Sequence, residues 1–417
     1  MKSTALRLWR SDVFRGTSFF YAGNMLANFG AFLYHLIMAR VLGPIEYGVL
    51  GSLFGLLYFG TIPMNALDIV VTKVVSGFEP SRQLAMTKQF IIFVLKTIAP
   101  YLALSLPVAF FLSWPIKTYL HLSNITGVFL IWVAIYLLVF TTVFYSSFKG
   151  LLKFVPMVVN LITGMFFRIT LSLLIVLFVV KSHLGAQLGL TASLAIALFI
   201  LLFQARFIFS SPGVPFDRRG VSLKSLGLSS LFMSASFTAM YSIDIILVKH
   251  YLPSVSAGLY AALATAGKII FFASSPLAAA IIPVVARKAH QPSSARKELI
   301  IITLLVSLIG GLALAVFSFY PRLVIDSIFT SKFTEASVFL PLMGLALFFY
   351  SLSSVLANFL IAIGKIQTYY VCVIGLVMEV LLIFFFHHSL AQVITSLVSV
   401  FGILAASLFA LSLYATR

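Results

Sequence analysis

Long apolar runs recur along the whole chain, and short polar segments separate them. A run such as LSLLIVLFVV shows no alternation of apolar and polar positions, so it predicts a helix rather than a strand of a membrane barrel. A helix needs about 20 residues to cross a bilayer. On this criterion we predict twelve membrane-spanning helices. Their ranges are 16–38, 46–74, 90–113, 124–148, 155–180, 188–208, 226–251, 256–286, 299–320, 334–357, 367–387 and 390–413.

The composition agrees with a bilayer environment. Hydrophobic residues make up 61% of the chain and charged residues 9%, whereas a soluble domain carries about 25% charged residues. Because apolar runs continue to the end of the sequence, a single signal peptide does not account for them. The sequence therefore predicts an all-α, polytopic membrane protein of about 12 transmembrane helices.

The positive charges indicate how the helices are oriented. The formal net charge is +18, and with the N-terminus placed inside, most Lys and Arg residues fall in loops on the inner side. Inner loops of membrane proteins are enriched in these residues. We therefore expect a multi-pass protein of the cytoplasmic (inner) membrane with both termini in the cytoplasm. The cations are spread over many short loops rather than clustered, which argues against nucleic-acid binding.

The middle of the chain separates two halves that resemble each other. Residues 210–224 contain prolines, a glycine and basic residues, which are typical of a linker. We expect an N-terminal lobe over 1–209, a cytoplasmic linker over 210–224 and a C-terminal lobe over 225–417, with six helices in each lobe. Superposing Gly48 on Gly258 aligns the segments after the first and seventh helices, which indicates a parallel repeat. Such repeats place a substrate site between the halves, near the middle of the membrane.

Three segments resemble those of a known family. MARVLGPIEYG follows the first predicted helix, IDIILVKHYLPSVSAGLYAA lies at the end of the seventh and beyond it, and NFLIAIGKIQTYY follows the tenth. They resemble segments of the polysaccharide transporter family, within the multidrug/oligosaccharidyl-lipid/polysaccharide exporter superfamily. One departure is that Pro44 has no aligned partner, because Pro253 lies one position away. The residues that match the family motif are Arg40, Gly43, Pro44, Tyr47, Gly48, Gly258 and Tyr260.

The resemblance implies two helical lobes around a central cavity and an activity as a flippase for O-antigen or another lipid-linked oligosaccharide. Such a protein moves a polyprenyl-pyrophosphate oligosaccharide from the cytoplasmic to the outer leaflet by alternating access. The implied partners are this lipid-linked oligosaccharide, the membrane lipids and the machinery that polymerises the polysaccharide.

Polar groups inside the predicted helices are the candidates for the transport site. A charge at the centre of a bilayer costs about 2.5–3.5 kcal/mol, so it normally faces protein or a wet cavity. The sugars of the substrate need hydroxyl and amide partners, and its phosphates need cations. Small and polar residues also mediate close helix packing, which is the alternative interpretation of these positions. The residues that we expect to line the substrate cavity are Asn24, Asn28, Asn65, Asn160, Arg168 and Lys268.

Three acids lie well within predicted helices and are the candidates for coupling transport to H⁺ or Na⁺, namely Asp68, Asp244 and Glu379. A carboxylate that exchanges basic partners between two conformations can bind and release such an ion. The simpler alternatives are fixed ion pairs, in which Asp68 pairs with Lys73 and Asp244 pairs with Lys268 or Lys249.

Other functional classes are disfavoured by what the sequence lacks. It has no G-x-x-x-x-G-K-[ST] segment for nucleotide-driven transport, no metal-ligand spacing and no long outer loop. We therefore predict neither an enzyme nor a bound cofactor or metal. One rival function is a multidrug antiporter of the same superfamily, whose cavity should be acidic. The other is a membrane-embedded polysaccharide polymerase or ligase, which should carry a large outer loop.

Overall fold

The computed structural model describes residues 12–212, 228–286, 292–365 and 368–416, and every regular element in these ranges is helical. Most of the predicted linker, from residue 213 on, lies outside the described residues. The elements are α1 (Asp12–Ser76), α2 (Gln83–Tyr119), α3 (Thr126–Gly150), α4 (Phe154–Phe178), α5 (His183–Gln204), α6 (Arg206–Phe209), α7 (Leu228–Met240), α8 (Ile243–Tyr251), α9 (Ser254–Ala286), α10 (Pro292–Phe319), α11 (Pro321–Ile328), a 3₁₀ helix (Ser331–Phe339), α12 (Leu340–Ala362), α13 (Tyr369–Phe385) and α14 (Leu390–Ala415).

The described helices account for the predicted membrane crossings. Ten helical segments are long and apolar enough to span a membrane, and α13 is a further apolar helix of shorter length. The first of these segments, Ser18–Ser76, contains two crossings that meet at a kink at Gly43. Counted in this way, the segments reproduce the twelve crossings, and the predicted all-α, polytopic fold is confirmed.

Two chain breaks differ from the predicted pattern. The loop expected between the first two helices is reduced to Gly43, whose φ of 75° is a conformation that glycine adopts without a steric penalty. The seventh crossing, predicted as one helix, is divided at Tyr241–Ser242 into α7 and α8. There the Ser242 hydroxyl donates to the carbonyl of Thr238 at 2.7 Å, and its N–H donates to the carbonyl of Ala239 at 3.0 Å. This tighter bonding replaces the regular helical pattern at the break.

The chain forms two compact units. The first unit comprises Met1–His35 and Gly60–Leu226, and the second comprises Leu36–Phe59 and Gly227–Arg417. The core of the first unit is built from side chains of α1 to α6, including Phe90, Phe148 and Leu201. The central part of α1, residues 36–59, packs with the helices of the second unit. The division into sequence-related lobes remains a prediction, because the compact units are defined by packing alone.

Motif residues hold the central part of α1 within the second unit. Gly48 lies against Gly258, and a Cβ atom on Gly258 would come within 2.0 Å of the Pro44 carbonyl oxygen. Tyr47 is buried and its hydroxyl lies 2.9 Å from Thr265 Oγ1. These residues therefore form a close helix contact in which glycine is required at position 258.

A further motif residue, Arg40, binds the end of a short helix in the same unit. Its guanidinium donates to the carbonyl oxygens of Ser327 and Ile328, and the bond from Nε to Ile328 is 2.9 Å long. These carbonyls belong to the last turn of α11, where a cation is favourable. Arg40 thus stabilises the C-terminus of α11.

Candidate functional site

A cavity of about 410 Å³, lined by both apolar and polar side chains, lies in the first unit. Its lining residues come from four helices: the last part of α1, α3, α4 and α5. It contains four of the residues that the sequence singles out, Asn65, Asp68, Asn160 and Arg168. Its other lining residues are Thr61, Met64, Leu138, Thr141, Thr142, Tyr145, Ser146, Leu161, Gly164, Met165, Leu190, Ser193, Leu194 and Ala197.

Helical spacing explains how two of these helices present their polar residues. On α4, Asn160, Gly164 and Arg168 recur every fourth residue and therefore lie on one face. On α1, Asn65 and Asp68 are spaced to share a face in the same way. Both faces line the cavity, so the two polar stripes meet there.

Arg168 lies on the face of an aromatic ring. Its Cζ atom is 4.2 Å from the centroid of the Tyr34 ring. Tyr34 has no exposed surface and is absent from the cavity lining, whereas Arg168 is part of it. The cation is therefore supported by a ring that lies behind it as seen from the cavity.

Asp68 forms an ion pair with a residue from another helix. Its Oδ2 lies 2.9 Å from Lys149 Nζ, and its Oδ1 accepts bonds from the hydroxyls of Ser146 at 2.6 Å and Thr72 at 3.3 Å. The sequence suggested Lys73 as a partner of this carboxylate, and the ion pair seen in the structure is with Lys149. Lys149 lies in the last turn of α3, and the packing of α3 against α1 brings it to the acid.

Several hydroxyl and amide groups of the cavity have their hydrogens committed to backbone carbonyls. Thr141, Thr142 and Ser193 donate to carbonyls of their own helices at 2.7–2.8 Å. Asn160 Nδ2 donates to the Ala197 carbonyl at 2.7 Å. The hydroxyl oxygens keep lone pairs that can accept hydrogen bonds. The cavity therefore combines acceptor oxygens with the cation of Arg168.

Two predicted cavity residues lie elsewhere in the first unit. Asn24 is exposed and Asn28 is half-buried, and neither lines the cavity described above. Their place in a substrate path remains a prediction.

In the second unit, Asp244 follows the break in the seventh crossing directly. It lies in the first turn of α8, is 7% exposed, and its Oδ2 accepts the hydroxyl of Tyr260 at 2.6 Å. Within the described parts of the chain, its Oδ1 has no hydrogen-bond partner. Asp244 and Lys268 interact electrostatically, but they are not within ion-pair distance of each other.

The two lysines proposed as partners of Asp244 bind other groups. Lys268 Nζ lies 3.7 Å from the centroid of the Tyr241 ring, and Lys249 Nζ donates to the hydroxyl of Ser254 at 3.2 Å. The fixed ion pairs of Asp244 with these lysines are therefore wrong for this conformation. Tyr260, which the family motif includes, is the partner that the sequence did not assign to the acid.

Glu379 is the most deeply buried of the predicted acids. It is 0% exposed on α13, and neither carboxyl oxygen has a hydrogen-bond partner among the residues that the structure describes. It lies close enough to Asp244 for the two groups to interact electrostatically. The second unit thus holds two buried carboxyl groups in one region, together with Tyr260. The described residues contain no group of three potential metal ligands.

The structure adds three residues to the candidate sites. Tyr34, Lys149 and Tyr241 each contact a charged residue that the sequence identified. Lys149 is visible in the sequence as a cation next to the fourth crossing. Its pairing with Asp68 cannot be predicted from the sequence, because this contact depends on how two helices that are distant in the sequence pack together.

Solved structures of membrane transporters share this fold. The lipid II flippase MurJ, in an inward closed conformation, superposes with a TM-score of 0.73 at 15% identity over 95% of this chain and 87% of that chain. A multidrug resistance MATE family transporter of the MOP superfamily, in an inward-facing conformation, gives 0.71 at 14% identity over 92% and 93%. A MOP superfamily transporter from Pyrococcus furiosus, described as having a binding pocket of reverse polarity, gives 0.66 at 13% identity over 98% and 97%.

The sequence itself matches no protein-family model and no curated protein. The structural likeness nevertheless extends over more than nine tenths of the chain, and the apolar helices are those of a membrane protein. The chain is therefore a multi-pass membrane protein with the fold of the MOP superfamily transporters.

Proposed function

We propose that this protein is a flippase that moves a polyprenyl-pyrophosphate oligosaccharide from the cytoplasmic to the outer leaflet by alternating access. The observation that carries the proposal is the cavity of the first unit, where Arg168 lies among acceptor oxygens within a membrane-spanning part of the chain. The motif resemblance to polysaccharide transporters points to the same substrate class.

The chemistry of the cavity suits a ligand that is both anionic and rich in hydroxyls. A guanidinium binds phosphate or carboxylate through two parallel N–H bonds. The Thr and Ser oxygens accept hydrogen bonds that sugar hydroxyls can donate. A volume of about 410 Å³ lies within the range of small-molecule pockets. It therefore fits the pyrophosphate and adjoining sugar, while the polyprenyl tail stays in lipid.

The charge of the cavity favours this substrate over the cationic drugs of a multidrug antiporter. Asp68 is paired with Lys149, so these two charges offset each other. Arg168 adds a positive charge to the lining. This positive charge repels a cationic ligand and attracts an anionic one.

Coupling to an ion is the second part of the proposal, and it rests on the buried acids. Glu379 and Asp244 lie close together in the second unit, and three of their four carboxyl oxygens have no hydrogen-bond partner within the described residues. Burying a carboxylate without a partner is costly. Such a pair is suited to bind H⁺ or Na⁺ during transport. Asp68 is the third candidate, and its ion pair with Lys149 would have to open for it to take part.

The proposal is tested with purified protein in proteoliposomes. The probe is an undecaprenyl-pyrophosphoryl disaccharide that carries a nitrobenzoxadiazole group on its sugar. Dithionite bleaches only the probe in the outer leaflet, so flipping raises the bleached fraction. We expect the Arg168→Ala variant to flip about tenfold more slowly or worse, because charged hydrogen bonds contribute about 1.5–3 kcal/mol.

The matched control is Lys96→Ala, which removes an exposed cation of α2 that does not line the cavity. This variant should flip the probe at the rate of the unmodified protein. Failure of the unmodified protein to flip the probe, together with transport of ethidium, would contradict the proposal and favour the antiporter.

A further inference from the structure

Tyr34 occupies a fixed position next to the cavity of the first unit. Its hydroxyl donates to the Ala186 carbonyl at 3.2 Å, and the same carbonyl accepts the hydroxyl of Ser172 at 3.0 Å. Ser172 lies one turn beyond Arg168 on α4, and Ala186 lies on α5. A shared acceptor thus connects Tyr34 to both helices.

The helix that carries Tyr34 approaches α4 closely. A Cβ atom on Gly30 would lie 2.5 Å from Met165 Cγ, so only a glycine leaves room for that side chain. Tyr34 is one helical turn beyond Gly30, and its side chain has no exposed surface. The ring is therefore held by packing as well as by its hydrogen bond.

An aromatic face stabilises a cation differently from a carboxylate. The ring attracts the guanidinium through its quadrupole and brings no negative charge of its own. The N–H groups of a guanidinium point outward in its own plane. A ring that lies over the face of the guanidinium does not itself use these N–H groups, which are the groups that form two parallel bonds to an anion. Lys149 shows the contrast, because its charge is offset by the carboxylate of Asp68.

We infer that Tyr34 is a positioning residue, which holds the guanidinium of Arg168 in the orientation that binds the pyrophosphate of the transported lipid. The inference rests on the proposed function and adds a residue to it that does not touch the substrate. Its effect on pyrophosphate binding is exerted through Arg168, and an experiment can separate this effect from the structural contacts of Tyr34.

The test measures binding of undecaprenyl pyrophosphate to the protein in nanodiscs, with undecaprenol as the ligand that lacks the anion. We expect Tyr34→Leu to bind the pyrophosphate about tenfold more weakly, because the cation–π contact is lost. Tyr34→Phe keeps the ring and should bind within about twofold of the unmodified protein. Binding of undecaprenol should be the same in all three proteins.

A double-mutant cycle separates positioning from a general structural effect. In an Arg168→Ala background, Tyr34→Leu should cause no further loss of pyrophosphate binding. Phe203→Leu is the matched control, because Arg206 lies over the Phe203 ring at the same 4.2 Å but outside the cavity. This control should leave binding unchanged.

Other outcomes of these binding measurements would contradict the inference, and one of them would also contradict the proposed function. If Tyr34→Leu binds pyrophosphate like the unmodified protein, the inference is overturned and the proposed function stands. The inference also fails if the loss persists in the Arg168→Ala background or if Tyr34→Phe is as weak as Tyr34→Leu. Absence of binding by the unmodified protein would overturn the inference and the proposed function together.

Discussion

The carboxyl groups of Asp244 and Glu379 have different surroundings although they lie in the same region. Asp244 accepts the Tyr260 hydroxyl and lies in the first turn of α8, where the helix dipole favours a negative charge. Glu379 is fully buried and, in the described part of the protein, receives no hydrogen bond. We infer that Asp244 anchors a bound cation and that Glu379 gains or loses the proton or ion during transport.

A first prediction concerns the Glu379→Gln variant. Glutamine has nearly the same shape but cannot take up a proton or balance a cation, so the variant should fold normally and lose its response to a gradient. Asp244→Asn should behave in the same way. The measurement is flipping of the labelled lipid in proteoliposomes under imposed pH and Na⁺ gradients.

Asp326→Asn provides the control, because this acid is exposed and lies on α11, which carries neither of the buried acids. It should respond to both gradients as the unmodified protein does. A normal response by both Glu379→Gln and Asp244→Asn would show that these acids are structural.

For single residues, the sequence predicts which polar side chains line the cavity better than it predicts which residues they contact. Helical spacing predicts that Asn65 and Asp68 share a face and that Asn160 and Arg168 share another, and these two faces line one cavity. Spacing along a helix does not determine which distant helix packs against that face. The ion pair of Asp68 with Lys149 depends on such packing and could not be predicted.

At the scale of elements, the contact between Gly48 and Gly258 fixes how closely two helices approach. We predict that Gly258→Ala destabilises the protein, because its Cβ would overlap the Pro44 carbonyl at 2.0 Å. Overpacking of this kind costs about 1–3 kcal/mol and outweighs the gain of about 1 kcal/mol from replacing glycine in a helix. The measurement is the thermal unfolding midpoint in detergent, which should fall.

Gly311→Ala is the matched control on α10. A Cβ at this exposed glycine has no neighbour within 4 Å in the described structure, so only the helix propensity changes. Its midpoint should stay the same or rise. Equal midpoints for the two variants would mean that the contact at Gly258 relaxes without cost.

The helices themselves were predictable because their apolar runs are long and uninterrupted. The helix predicted over 155–180 is observed as Phe154–Phe178, and the helix predicted over 390–413 is observed as Leu390–Ala415. The ends of these two helices differ from the prediction by at most two residues. The break at Tyr241–Ser242 was not predicted, because the segment around it contains neither proline nor glycine, the residues that usually mark a helix break. It arises from local hydrogen bonds of Ser242, which sequence periodicity does not report.

At the scale of the whole molecule, the distribution of Lys and Arg predicts the orientation in the membrane. Ser81 lies in a predicted inner loop and Ser331 in a predicted outer loop, and both are exposed. Cys372 is the single cysteine of the sequence, so a Cys372→Ala background removes competing thiols. In this background, a membrane-impermeant maleimide applied to intact cells should label the Ser331→Cys variant and leave Ser81→Cys unlabelled.

Permeabilised cells serve as the control, since both variants should then react. Labelling of Ser81→Cys in intact cells would contradict the proposed orientation. The proposed direction of transport, from the cytoplasmic to the outer leaflet, would then have to be reversed as well.

The hydrogen bonds that the cavity hydroxyls donate to the backbone have a consequence for the order in which the glycan is modified and transported. The oxygens of Thr141, Thr142 and Ser193 are acceptors whose hydrogens are already bonded to the backbone. On the proposed function, a sugar that meets them must supply hydrogens from free hydroxyl groups. An acetyl or methyl group at those positions would bring only acceptors to acceptors. Enzymes that decorate such hydroxyls would therefore have to act after the glycan has reached the outer face of the membrane.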